Sequence, residues 1–91
     1  MGMITGVTKS GFKFSVDAEA IKDMEFLELV GEAEANPTKL GKMYECLLGK
    51  DQKKKLYDHV RTKNGRVPID LIRAESDDIF DAINNSDETK N

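Results

Sequence analysis

The sequence predicts a mostly helical α+β domain, with an N-terminal β-hairpin packed on four helices and a short disordered tail. Three observations lead there. The chain opens with two β-rich runs around a glycine; apolar residues at helical spacing then recur through the rest; and Asn-Pro, Gly-Lys-Asp and Asn-Gly punctuate those helical runs. A chain of this length makes one domain, expected over residues 1–84.

The hairpin is expected over residues 4–16. Ile4–Thr8 and Phe12–Val16 are rich in Val, Ile, Thr and Phe and flank Lys9-Ser10-Gly11, where Gly11 can take the positive φ of a short loop. Phe12, Phe14 and Val16 share one face and Lys13 and Ser15 the other, the alternation of a strand with one side buried. Two strands alone are marginal in water, so the hairpin must lie on helices.

Asp17 is the expected N-cap of a first helix over residues 18–34, with Glu19 and Asp23 early enough to suit the helix dipole. Its apolar arc is broad: Phe26, Leu27, Leu29 and Val30 cover nearly half the circumference, and Ile21 and Met24 widen it. Such a helix is either the centre of its own domain or reserves part of the arc for a partner. Asn36 and Pro37 start a second helix over 37–48, with Leu40, Met43, Tyr44 and Leu47 as its buried face and Gly49 after its end. Asp51 is expected to cap a third helix, 52–62, whose thin stripe is Leu56, Tyr57 and Val60 with the stem of Lys53. Ile69, Ile72, Ile79, Phe80 and Ile83 hold one phase, so a single last helix is expected over 68–84 with only Ser76 intruding, although Ser76-Asp77-Asp78 also resembles a fresh start. Residues 85–91 are polar and expected to be disordered.

Composition narrows the function. A single cysteine, Cys46, rules out an intramolecular disulfide, and Met1 to Val7 lacks the basic start and apolar run of a signal peptide. Gly2 is not followed by the Ser or Thr of a myristoylation signal, because Gly6 stands there. No apolar run approaches the ~20 residues of a membrane span. A soluble protein of the reducing cytoplasm is expected.

Enzymatic chemistry finds little footing. His59 is the one histidine and reads as a surface side chain at the border of the third helix's apolar face. Cys46 is thirteen residues away on another helix and reads as a small apolar residue. One Cys and one His do not make a zinc set, and Asp77, Asp78 and Asp81 lack the alternate spacing, central Gly and closing Glu of a calcium loop. Gly2, Gly6 and Gly11 have the wrong spacing for a phosphate loop. No enzyme, no metal and no cofactor is expected.

Charge is more informative in its order than in its total of −3. From Asp17 to Ala35 seven acids face Lys22 alone; from Lys50 to Arg66 seven bases face Asp51 and Asp58; from Asp70 to Asn91 seven acids face Arg73 and Lys90. The three segments either neutralise one another side by side or make a dipolar surface that orients partners. The candidate protein-binding residues are Phe26 and Leu29 on the first helix's apolar arc with Glu25, Glu28 and Glu32 beside them. Lys53, Lys54 and Arg61 form a candidate basic face. Phe26→Asp with Leu29→Asp is expected to abolish partner binding and leave the fold intact. Nucleic-acid binding through residues 50–66 is the alternative reading, weakened by the acidic flanks and by having Tyr57 as the sole aromatic there.

Several short phrases carry a resemblance: Thr8-Lys9-Ser10-Gly11-Phe12, Asp23-Met24-Glu25-Phe26-Leu27-Glu28-Leu29, Leu47-Leu48-Gly49-Lys50-Asp51-Gln52-Lys53, Leu56-Tyr57-Asp58-His59 and Gly65-Arg66-Val67-Pro68. Over most of residues 8–83 the chain resembles small tail-assembly proteins of long-tailed phages and prophages of Gram-positive bacteria. The resemblance implies a tail assembly chaperone, whose partners are the tape measure protein that it coats and the tail tube protein whose subunits it helps recruit. Such proteins are absent from the finished virion and often occur also in a longer, frameshifted form. The resemblance specifies no contact residues and leaves self-association open. A bacterial adaptor with no phage role is a third reading.

Overall fold

Alternating side chains make the start of the chain an antiparallel ribbon of β1 (Met3–Val7) and β2 (Lys13–Asp17). Ile4 pairs with Val16 and Gly6 with Phe14, which turns Ile4, Phe14 and Val16 inward and leaves Met3, Thr5, Val7 and Lys13 exposed. Gly11 closes the loop with φ 95, its N–H donating to the Thr8 carbonyl at 2.9 Å. The computed structural model describes residues 2–85, so the tail expected over 85–91 lies outside the described residues except for Asn85.

Three α-helices follow: α1 (Met24–Ala35), α2 (Leu40–Val60) and α3 (Ile69–Asn84). The first starts six residues later than the expected 18–34. Ala18 is still held by the sheet, its N–H donating to the Gly2 carbonyl at 2.9 Å, and it is buried. Asp17 accepts from the Glu19 N–H and opens only a 3-10 turn at Ala20–Lys22. The cap of α1 is Asp23, extended at φ −79 and ψ 133, whose carboxylate accepts the Phe26 N–H at 2.9 Å.

Asn36 behaves as expected, accepting both the Thr38 N–H and hydroxyl, and Pro37–Lys39 form a 3-10 turn leading into α2. The expected pair of helices over 37–48 and 52–62 is one hydrogen-bonded element interrupted at Gly49, so the four-helix arrangement is not confirmed. Gly49 has φ 83 and ψ 164, an extended left-handed conformation essentially reserved for glycine. Helical backbone resumes after it, with no hydrogen bond to the Asp51 carboxylate among the described residues. The bend brings Lys53 back beside Glu45 and the Tyr57 hydroxyl close to the backbone at Gly41. Nothing lies within 4 Å of where a Cβ on Gly49 would sit, so substitution there tests the backbone alone. Gly49→Ala is expected to cost about 1–3 kcal/mol, read as a lower urea midpoint at unchanged slope.

The helix over 68–84 is observed as α3, unbroken at Ser76, whose hydroxyl donates back to the Arg73 carbonyl at 2.8 Å and so does not cap a new helix. The centre of the domain is α2, not the first helix as its broad arc allowed. Tyr44 and Leu56 on α2 are fully buried, and this helix packs on α1, β2 and α3. Of the arc on α1, only Phe26 reaches the core together with Ala33; Ile21, Leu29 and Val30 are half-buried, and Met24 and Leu27 are 64% and 58% exposed.

The Tyr44 hydroxyl donates to the Ile72 carbonyl at 2.7 Å, tying α2 to α3. Burial pushes this phenol well above its ordinary value, because the charged form would lose its water. A raised folded value makes a contribution that is complete below the unfolded phenol value of about 10 and is lost as pH rises above it. Tyr44→Phe is therefore expected to flatten the alkaline fall in stability relative to the parent chain. At neutral pH it should cost about 1 kcal/mol for the lost hydrogen bond, both effects being read by urea unfolding across pH.

Candidate interaction surfaces

The candidate residues on α1 divide between two sides of the helix. Glu25, Glu28, Leu29 and Glu32 come together, lining a hollow of about 260 Å³ with Lys42 and Cys46 of α2. Their carboxylates form no ion pair among the described residues. Phe26 does not join them. It is 4% exposed and its ring packs on Phe80 at 6.2 Å between centroids, so it is a core residue. The expectation that Phe26→Asp with Leu29→Asp leaves the fold intact is corrected accordingly, since an aspartate at 26 would be buried without a partner.

On the other side, Ile21, Phe26, Leu27 and Val30 line an apolar groove of about 270 Å³ with Phe80, Ile83 and Asn84 of α3. Val30 and Phe80 also border the next hollow along, of about 210 Å³, which Glu34, Arg73, Asp77, Leu40 and Met43 line as well. The two hollows adjoin at Val30 and Phe80, so this stretch of surface is apolar at one end and charged at the other. Leu27, absent from the candidate residues, is the most exposed large apolar residue lining the groove, at 58%. Its exposure was legible only as membership of an arc too wide for one core.

Lys53, Lys54 and Arg61 do converge, lining one groove of about 320 Å³ with Lys50, Tyr57 and Glu45. The cations are partly answered from within the chain. Lys53 reaches Glu45 at 3.2 Å and lies 5.5 Å from the centre of the Tyr57 ring, while Lys54 and Arg61 hold Asp58 at 2.8 and 3.2 Å. The Lys54 ammonium, with Arg61, holds the Asp58 carboxyl below the usual carboxylate range. Each pair is an exposed or half-exposed one, of the kind that contributes little to stability.

A polar cluster joins the hairpin loop to two helices. Glu75 of α3, 4% exposed, accepts the Thr8 hydroxyl at 2.8 Å and the Ser10 hydroxyl at 2.7 Å. The His59 Nε2 lies 2.9 Å from the Ser10 oxygen, and its ring packs on Phe12. Asp78 accepts the Lys9 N–H at 2.9 Å. By distance alone Ser10 and His59 could be taken for a nucleophile and its base. The hydrogen count argues otherwise. Ser10 has one proton and it points to Glu75, so His59 must donate through Nε2–H and cannot accept the serine proton. The nearby Lys9, Gly11 and Phe12 N–H groups are all engaged within the chain. The cluster is a clasp that holds the loop down.

A scan against protein-family models finds no match, and searches of curated proteins and solved structures find none either.

Residue geometry therefore carries the assignment. Among the described residues no group of three or more His, Cys, Asp or Glu side chains could hold a metal ion, and no helix is long and apolar enough to cross a membrane. Glu75 is the important side chain that sequence reading missed. A signal was present: it lies three residues after Ile72 and four before Ile79, on the buried stripe, where a carboxylate must find partners.

Proposed function

We propose that this protein is a non-enzymatic, protein-binding assembly factor, and specifically a tail assembly chaperone of the phage kind that its sequence resembles. The observation that supports it best is the apolar groove between α1 and α3, which Leu27, 58% exposed, lines with Ile21, Val30, Phe80 and Ile83. An amphipathic helix laid in such a groove by its apolar face is a common mode of recognition. Glu34 and Asp77 outnumber Arg73 at the charged end, and Glu25, Glu28 and Glu32 occupy the far side of α1, so the helix that fits is one with basic residues beside its apolar stripe. In the chaperone reading that helix belongs to the tape measure protein; the tail tube protein is the second partner.

The test uses the full chain with fluorescent peptides tiled along the tape measure protein of the same phage genome. Saturable binding that Leu27→Asp weakens at least about tenfold, equivalent to ~1.4 kcal/mol, is the expected result. Absence of binding across the whole tape measure sequence overturns the assignment. Equal binding by the parent and a folded Leu27→Asp variant overturns the place.

The basic groove keeps nucleic acid as the alternative, because Lys50, Lys53, Lys54 and Arg61 share it. Salt separates the readings. Phosphate binding falls steeply as salt is raised, whereas insertion of an apolar helix face changes little.

A further inference from the structure

The two edges of the hairpin are treated differently. In an antiparallel pair, opposed residues alternate between those that exchange hydrogen bonds with each other and those whose N–H and C=O point away. The Ala18 N–H donates to the Gly2 carbonyl and the Thr8 N–H to the Phe12 carbonyl, which sets the phase. Ile4–Val16 and Gly6–Phe14 are therefore the bonded pairs, and Met3, Thr5 and Val7 of β1 point their backbone groups outward, as Asp17, Ser15 and Lys13 of β2 do.

On the β2 side that edge is covered at its middle residue, Ser15. Ser15 donates its N–H to the Gln52 side-chain oxygen at 2.8 Å, and the Gln52 amide donates to the Ser15 carbonyl at 2.7 Å. Gln52 thus stands in for a neighbouring strand. On the β1 side no described residue hydrogen-bonds the backbone of Thr5 or Val7. The strand Met-Ile-Thr-Gly-Val carries no charge and no proline, the usual devices that keep an edge from pairing, and its outward side chains Met3 and Val7 are 58% and 60% exposed.

We propose that β1 is a strand-pairing edge whose occupant is β1 of a second copy of this chain, giving a four-stranded antiparallel sheet across a two-fold axis at Thr5. The register favours this occupant. Antiparallel pairing about Thr5 sets Met3 opposite the second copy's Val7 and Thr5 opposite the second copy's Thr5. Every outward-pointing backbone group then meets its complement. On the solvent face each exposed methionine packs on a valine, and the two threonines face each other, a favourable cross-strand pair. The same patch serves both copies, as a closed two-fold interface requires. No charge opposes the approach along the strand.

The experiment is sedimentation equilibrium of the full chain from micromolar to millimolar concentration, with amide hydrogen exchange at both ends of the range. The expected result is a reversible monomer–dimer equilibrium in which the Thr5 and Val7 amides exchange at least about tenfold more slowly at the high concentration. The Ile4 and Gly6 amides, already bonded to β2, serve as the internal control. Val7→Lys, which keeps every backbone group and adds an edge charge, should weaken the dimer at least about tenfold. Thr5→Pro, which deletes the N–H at the axis but none that faces β2, should leave a monomer with the Ile4 and Gly6 amides still protected. A chain that stays monomeric throughout overturns the proposal. So does a dimer whose Thr5 and Val7 amides exchange at the same rate at both concentrations.

Discussion

Phe26→Asp is expected to unfold the protein at neutral pH, whereas Leu27→Asp, one residue along the same helix, is expected to leave it folded. Phe26 is 4% exposed against Phe80, so an aspartate there either carries an unpaired charge into an apolar site or drags the first turns of α1 out of the fold. The expected cost exceeds ~4 kcal/mol, taken from a domain whose whole stability is of order 5–15 kcal/mol. Leu27 is 58% exposed, and the same substitution should cost no more than about 1 kcal/mol. Far-ultraviolet circular dichroism with thermal melting of both variants reads the contrast. Parent-like melting of Phe26→Asp would mean that Phe26 is not packed where it is described. A folded Leu27→Asp is also what allows binding to the apolar groove to be tested without loss of structure.

The second large effect is at Glu75. Glu75→Ala removes the acceptor for both Thr8 and Ser10, and the Thr8 hydroxyl, itself 4% exposed, has water no closer than before. Hydrogen bonds to a charged group contribute about 1.5–3 kcal/mol each, but they share one carboxylate whose own burial is costly, so a net loss of roughly 2–4 kcal/mol is expected. The asymmetry of such sites supplies a sharper check. Glu75→Met combined with Thr8→Val and Ser10→Ala removes donors and acceptor together, and should recover most of what Glu75→Ala loses. If the triple variant is no more stable than Glu75→Ala, the carboxylate acts through something other than the two hydroxyls. Hydrogen exchange adds a local reading, since the loop amides at Gly11 and Phe12 should open faster in Glu75→Ala while those of α2 change less.

How far the sequence was readable depended on how local the cause was. The hairpin loop, the Asn36-Pro37 boundary, the buried face of Leu40, Met43, Tyr44 and Leu47, and the continuity of the last helix all follow from neighbours within a few residues. The start of the first helix does not. Asp17 and Asp23 are equally good caps on paper, and the choice between them rests on Ala18 being bonded to Gly2, a contact across the sheet. The apolar arc of α1 posed the same difficulty. Periodicity identified residues that could be buried, but which of them meets Phe80 and which lines the groove depends on where α3 lies. Clustering by charge fared better: Glu25, Glu28 and Glu32 line one hollow, and Lys53, Lys54 and Arg61 another.

What the sequence by itself determined is therefore the mixed, mostly helical class and the hairpin at its start. These are set by side-chain period, turn residues and composition, each of which acts over a turn or two of chain. Only the tertiary structure decided that α2 is the central helix, that Phe26 is core while Leu27 is surface, that Gln52 bonds the β2 edge at Ser15 while no described residue bonds β1 at Thr5 or Val7, and that Glu75 clasps the loop at Thr8 and Ser10. Each of those joins residues far apart in sequence, and which partners meet is settled by how the whole chain can bury its apolar surface while satisfying every polar group it buries with it.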